Sequence, residues 1–82
     1  LFILRETMVY TDGIHLMSDN QEELHKFAKE IGLKRDWFQA NPKHPHYDLL
    51  SKVMVWRALN SGAIKTTTRE MLEKCKKSNL TG

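Results

Sequence analysis

The sequence has a single cysteine, Cys75, so no disulfide can close within these 82 residues, and nothing hints at a thiolate zinc site. That usage fits a reducing compartment, and the expected location is the cytoplasm of a bacterial cell or a phage-infected host. Cys75 follows Met71 and Leu72 in a helical pattern and reads as a packed thiol rather than a nucleophile. Apolar runs are also scarce. All fall far short of the roughly 20 residues that a bilayer span needs, so no membrane partner is expected. Leu1–Leu4 is too short for a signal-peptide core. Missing too are a phosphate-cradling glycine loop, a Gly-x-Ser-x-Gly elbow and a His-Glu-x-x-His helix, which removes the best-marked routes to nucleotide hydrolysis, ester hydrolysis and zinc proteolysis.

The length allows one domain with one modest core, and residues 1–82 are taken as a single α+β unit. Residues 1–7 read as sequence upstream of a natural start at Met8, and residues 78–82 as a frayed tail. Charge is unevenly spread: residues 1–48 hold 6 Lys/Arg against 8 Asp/Glu, and residues 49–82 hold 7 against 2. A basic C-terminal half can meet phosphates, or it can be a solvated helix face whose lysines complement the helix dipole.

Three helices and a small sheet are legible. Asp12-Gly13 is a preferred tight-turn dipeptide, so residues 8–17 are expected to form a β-hairpin. A two-residue loop would put Val9, Thr11, Ile14 and Leu16 on one face. Met8, Tyr10, His15 and Met17 would share the other, with His15 across from Tyr10. Ser18 or Asp19 can cap a helix over about 19–31, in which Leu24, Phe27, Ala28 and Ile31 form an apolar stripe. Gly32 and Leu33 then supply a Schellman close. A second helix is expected over about 48–60, capped by Asp48. Its apolar residues run nearly all the way round, which points to a central helix or one shared with a homodimer or host protein through Leu49–Leu59. Residues 63–65 are strand-like and can join the hairpin, giving a two- or three-stranded sheet. Thr67-Thr-Arg-Glu70 opens a third helix over about 67–77.

Both prolines, two of the four histidines and one of the two tryptophans lie in the loop from Trp37 to Asp48. A compact domain rarely spends so many functional groups on a simple connection. Pro42 and Pro45 force extended or turn conformations, and Lys43 and His44 are the expected exposed tip. His44-x-His46-x-Asp48 places ligand-type residues at alternate positions, which suits a divalent metal on a strand, with His46 and Asp48 as the candidates. Against this stand Pro45 and the competing use of Asp48 as a helix cap. A histidine held by a second group can also serve as a general acid or base, which makes His15, His46 and Asp48 the catalytic candidates. Lys34-Arg35-Asp36-Trp37-Phe38-Gln39 comes nearest to the basic-and-aromatic interleaving of nucleic-acid binders, though its aromatics can equally be core. His25 sits at the edge of the first helix's apolar stripe, where it can enter a cleft or cover the core rim.

The run Glu23-Leu-His25-x-Phe27-Ala28-x-x-Ile31-Gly32-Leu33-x-Arg35-x-Trp37-Phe38-Gln39 resembles the signature of a small, functionally uncharacterised family of bacterial and phage proteins, one of the domains of unknown function. His46-Tyr47-Asp48-Leu49 with Lys52, Gly62-Ala63-Ile64 and Thr67-x-Arg69-Glu70-Met71 are similar to the remainder of that pattern. Val9-Tyr10-x-Asp12 resembles its first strand. The chain departs from the pattern between Asp12 and His15, where the family carries a longer segment. The resemblance implies a small cytosolic α+β domain and transfers no activity.

Gln39, His46, Tyr47 and His15 have no simple packing role in this pattern. If the loop folds back over the hairpin, they line one pocket. Three functions follow. The first is a small accessory protein that binds a phosphate-bearing ligand, nucleotide or nucleic acid through His15, His25, Trp37, Gln39, His46 and Tyr47. The second is a protein-interaction or host-inhibiting factor acting through the apolar helix. The third is a small metal-dependent or acid–base hydrolase or nuclease.

Overall fold

The computed structural model describes residues 8–75. Its elements are β1 (Val9–Thr11), β2 (His15–Ser18), α1 (Gln21–Glu30), a 3-10 turn (Arg35–Trp37), β3 (Phe38–Gln39), β4 (His46–Asp48), α2 (Lys52–Asn60), β5 (Ile64–Lys65) and α3 (Thr68–Cys75). The expectations for residues 1–7, for residues 76–77 of the third helix and for the tail at 78–82 lie outside the described residues.

The α+β class and the three helices hold, but the sheet has five strands rather than two or three, in the order β3-β4-β2-β1-β5. The two additional strands come from the proline-containing loop, which forms its own hairpin: Phe38 pairs with Tyr47 and Gln39 with His46. That hairpin joins the first through His15↔Asp48 and Leu16↔Tyr47. Residues 64–65 add a parallel strand beside β1, with Tyr10 opposite Ile64.

The first hairpin forms with a register two residues from the expected one. Met17, not His15, lies across from Tyr10, and Leu16 lies across from Thr11. Asp12 is the cause. Its carboxylate accepts the N–H groups of Ile14 (2.9 Å) and His15 (2.8 Å), so it flanks the turn instead of forming its centre. A shift of two preserves the faces, whereas a shift of one would invert them. Val9, Thr11 and Leu16 therefore still face the main core, while Tyr10, His15 and Met17 face the other way.

Helices cover both faces. On one, α1 and α2 enclose Val9, Leu16, Leu24, Phe27, Ala28, Ile31, Tyr47, Ala58 and their neighbours. On the other, α3 lays Met71 over Tyr10 and Met17, with Leu72 and Cys75 at the margin. Burial pushes the Cys75 thiol up to about 11, as expected of a packed thiol.

The caps correct the expected boundaries. Asn20, rather than Ser18 or Asp19, caps α1 by accepting the Glu23 N–H (3.0 Å). Ser51, rather than Asp48, caps α2 by accepting from Met54 N–H. The second helix thus starts at Lys52, not at 48, and Asp48 belongs to a strand. Thr67 caps α3 as expected, accepting from Glu70 N–H (3.1 Å), while the Glu70 carboxylate takes the Thr66 hydroxyl at 2.6 Å. Gly32, at φ +92°, closes α1: its N–H donates to Lys29 O and that of Leu33 to Ala28 O, the paired bonds of a Schellman motif.

Candidate functional site

β2 and β4 lie side by side, so the side chains of His15, His46 and Asp48 project from the same face of the sheet. His15 is directly opposite Asp48 in the ladder, and His46 lies two residues along β4, on Asp48's side of the strand. One donor atom from each of the three lies within 4.8 Å of the others. The two imidazoles meet edge to face with centroids 5.1 Å apart. His46 Nε2 is 3.3 Å from an Asp48 oxygen.

The second nitrogen of each ring decides what the first can do. His46 Nδ1–H donates to the carbonyl oxygen of His44 at 2.7 Å, which leaves the Nε2 lone pair facing Asp48. His15 Nδ1–H donates to Asp12 Oδ2 at 3.1 Å, so Nε2 is the atom that His15 has left to offer. Asp12 is held in turn by the Thr68 hydroxyl (2.5 Å) at the start of α3, together with the two turn N–H groups. Its side chain is only 3% exposed. Burial disfavours the charge, but the hydrogen bonds from Thr68, His15 and Ile14 outweigh it and hold the carboxyl well below the usual carboxylate range. A carboxylate or carbonyl behind each imidazole is the usual support of metal-binding histidines.

The donor set suits a divalent transition ion. Ligands about 2.0–2.1 Å from zinc in a tetrahedron stand roughly 3.3 Å apart; His46 and Asp48 are at that separation, and the three ligand atoms together lie within 4.8 Å of one another. A pocket of about 230 Å³ adjoins the cluster; His15, His44, His46 and Thr68 stand on its polar side, and Met17 and Met71 on its apolar side. His44, expected at an exposed tip, instead lines this pocket. Its N–H is drawn in by Asn41, whose side chain accepts it at 3.2 Å.

The candidates from the sequence divide between the faces. His15, His46 and Asp48 converge, and Gln39 sits beside His46 in the ladder. Tyr47 does not join them. One residue away from both His46 and Asp48, it points to the other face of the sheet, where it is 1% exposed and its hydroxyl shares a hydrogen bond with His25 Nδ1 at 2.8 Å. Phe38 packs on both rings, 4.6 Å from His25 and 5.3 Å from Tyr47. Trp37 packs at the margin of the main core with the Lys34 ammonium 5.9 Å from its ring. Burial and the charge of Arg35 lower the His25 pKa, and burial raises that of Tyr47.

Sequence reasoning missed Asp12 and Thr68 as partners of the site. An Asp before Gly reads as a turn former, and Thr68 lies 56 residues further along.

No helix among the described residues is long and apolar enough to cross a membrane. No curated protein and no solved structure matches the chain. The model of one protein family does match, over residues 6–78, and that span takes in both hairpins, all three helices and every residue of the candidate site; the chain belongs to the family of proteins of unknown function DUF4031.

Proposed function

We propose that this domain is a small metal-dependent hydrolase, with His15, His46 and Asp48 as ligands of one divalent transition-metal ion. The observation that carries the reading is the pair of tethered imidazoles: Asp12 and the His44 carbonyl hold each Nδ1, so the Nε2 atoms remain for a shared ion beside Asp48. Three protein ligands would leave a coordination position open to water, whose pKa a zinc-like ion would lower to about 7. In hydrolysis the water oxygen bonds to the electrophilic atom of the substrate, the bond to the leaving group breaks, and a water proton ends on the leaving group. The adjoining pocket seats that group, with Met17 and Met71 excluding solvent and Thr68, Asn41 and His44 supplying polar contacts. Asp48 is available to an ion because Ser51 takes the capping duty.

The test is hydrolysis of p-nitrophenyl acetate and bis(p-nitrophenyl) phosphate by protein stripped of metal and then reloaded with zinc or manganese. Turnover that appears with metal and is lost in His46→Ala and Asp48→Asn supports the reading. Equal turnover in wild type and both variants would sink it.

A second reading, a protein-contact surface, rests on α2. Trp56 is 62% exposed and Val53 57%, with Leu50 and Leu59 also open to solvent. The helix expected to be central or shared buries only Ala58 fully. Scattered exposed apolar residues are ordinary, but four along one helix and its approach support a contact surface. Sedimentation velocity separates the outcomes: self-association lost in Trp56→Gln supports a homodimer through this face, and a monomer at every concentration removes it.

A further inference from the structure

A second cavity lies on the opposite face of the sheet from His15 and His46. It has a volume of about 410 Å³ and is lined by His25, Lys29, Leu33, Arg35 and Tyr47. That volume is within the range of small-molecule sites. Two of its five residues are permanent cations and none is acidic. Among the described residues, no carboxylate forms an ion pair with either Lys29 or Arg35.

Arg35 is tied to an aromatic base. The Arg35 guanidinium lies 5.1 Å from the Phe38 ring, which itself packs on both His25 and Tyr47. The Tyr47 hydroxyl holds the His25 ring through a hydrogen bond with Nδ1. Burial and the Arg35 charge lower the His25 pKa and so favour its neutral form. Arginine's planar fork matches phosphate oxygens two at a time, and lysine adds a point charge. The half-buried His25 ring is the aromatic group open to a flat body, while Tyr47 and Leu33 are buried in the floor beneath.

We infer that this cavity binds a phosphomonoester with an aromatic body, the chemical class of nucleoside monophosphates and aryl phosphates. Arg35 and Lys29 take the phosphate, and His25 takes the ring system. The site is separate from the metal cluster, because Tyr47 and its neighbours His46 and Asp48 face opposite ways along β4.

The experiment follows amide and side-chain NMR shifts of the metal-free full chain titrated with adenosine monophosphate, phenyl phosphate, adenosine and inorganic phosphate at low salt. The expected result is saturable movement of the Lys29, Leu33, Arg35 and Tyr47 signals with the first two probes, and weaker binding of adenosine and of phosphate alone. Arg35→Gln and Lys29→Gln should each weaken binding by about tenfold or more, equal to about 1.4 kcal/mol, and His46→Ala should leave it unchanged. Both cations are on exposed residues, so folded spectra are expected for the variants, and Arg35→Lys should restore part of the affinity. Absence of saturable shifts at these residues with all four probes would overturn the inference. So would binding that survives both charge removals, or that disappears with His46→Ala.

Discussion

Asp12→Asn is the sharpest perturbation of the site, because it changes charge and donor direction with almost no change in shape. The wild-type carboxylate accepts four hydrogen bonds: from Thr68 Oγ1 (2.5 Å), His15 N (2.8 Å), Ile14 N (2.9 Å) and His15 Nδ1 (3.1 Å). An asparagine keeps one carbonyl oxygen for the two turn N–H groups. Its amide then faces His15 and Thr68 as a donor. The threonine hydroxyl can turn to accept. His15 can accept only by moving its proton to Nε2, which removes the lone pair proposed to bind metal. Hydrogen bonds to a charged group are each worth about 1.5–3 kcal/mol, and two are weakened rather than abolished, so the variant should lose about 1–3 kcal/mol of stability near neutral pH. Loss of this support should also weaken metal binding by about 10–100-fold.

The pH dependence has a definite sign. The folded-state carboxyl of Asp12 is depressed below its unfolded value. Its contribution is therefore present above the unfolded pKa and lost as pH falls through the carboxylate range toward the folded value. Urea denaturation of the metal-free wild type and of Asp12→Asn at several pH values isolates this group, since the other carboxylates titrate in both. The difference in stability should shrink from about pH 5 downward. A difference that is constant from neutral to strongly acid pH, or wild-type metal affinity in the variant, would refute the reasoning.

Three further outcomes test the scaffold and the opposite face. Tyr47→Phe removes the hydroxyl held at 2.8 Å by His25 and should cost about 1 kcal/mol in urea denaturation, with the His25 pKa measured by NMR moving as well. Gly32→Ala places a Cβ at a φ of +92° and 3.0 Å from an Arg57 nitrogen; denaturation should show a loss of about 1 kcal/mol or more. With its thiol pushed up to about 11, Cys75 should alkylate with iodoacetamide at about pH 8 far more slowly than an unfolded control, and reaction at the control rate would contradict its packing against α3's neighbours.

Much of the architecture was legible because its signals are local. The apolar stripe of α1, the Gly32-Leu33 close and the Thr67 cap each lie within one or two turns of chain, and each formed as read. The errors arose where several residues could do the same job. Ser18, Asp19 and Asn20 all qualify as caps, and only the strand pairing of Ser18 with Val9 removes the first. Asp48 looked like a cap because Ser51, three residues later, is the less conspicuous candidate. That choice hid β4. β3 and β4 have two and three residues, too short for any period to emerge, and they exist by pairing with each other and with β2.

The candidate site was legible in kind but not in arrangement. His15, His46 and Asp48 stand out by side-chain chemistry alone, and the alternation of His46 and Asp48 was already visible. Once the segment is a strand, the same alternation sends Tyr47 to the opposite face, dividing the single pocket suggested by His15, Gln39, His46 and Tyr47. Asp12 and Thr68 carry no local signal for their pairing, because the packing of α3 on the first hairpin brings them together.

Cobalt titration of the metal-free protein tests the central claim most directly, because the d–d absorption of Co²⁺ reports ligand number and geometry. A three-ligand site closed by water predicts one ion bound per chain, with a spectrum of four- or five-coordinate nitrogen and oxygen ligands. That spectrum should be displaced by zinc and abolished in His15→Ala, His46→Ala and Asp48→Ala. An octahedral aquo-ion spectrum throughout the titration, or an unchanged bound spectrum in those three variants, would contradict it.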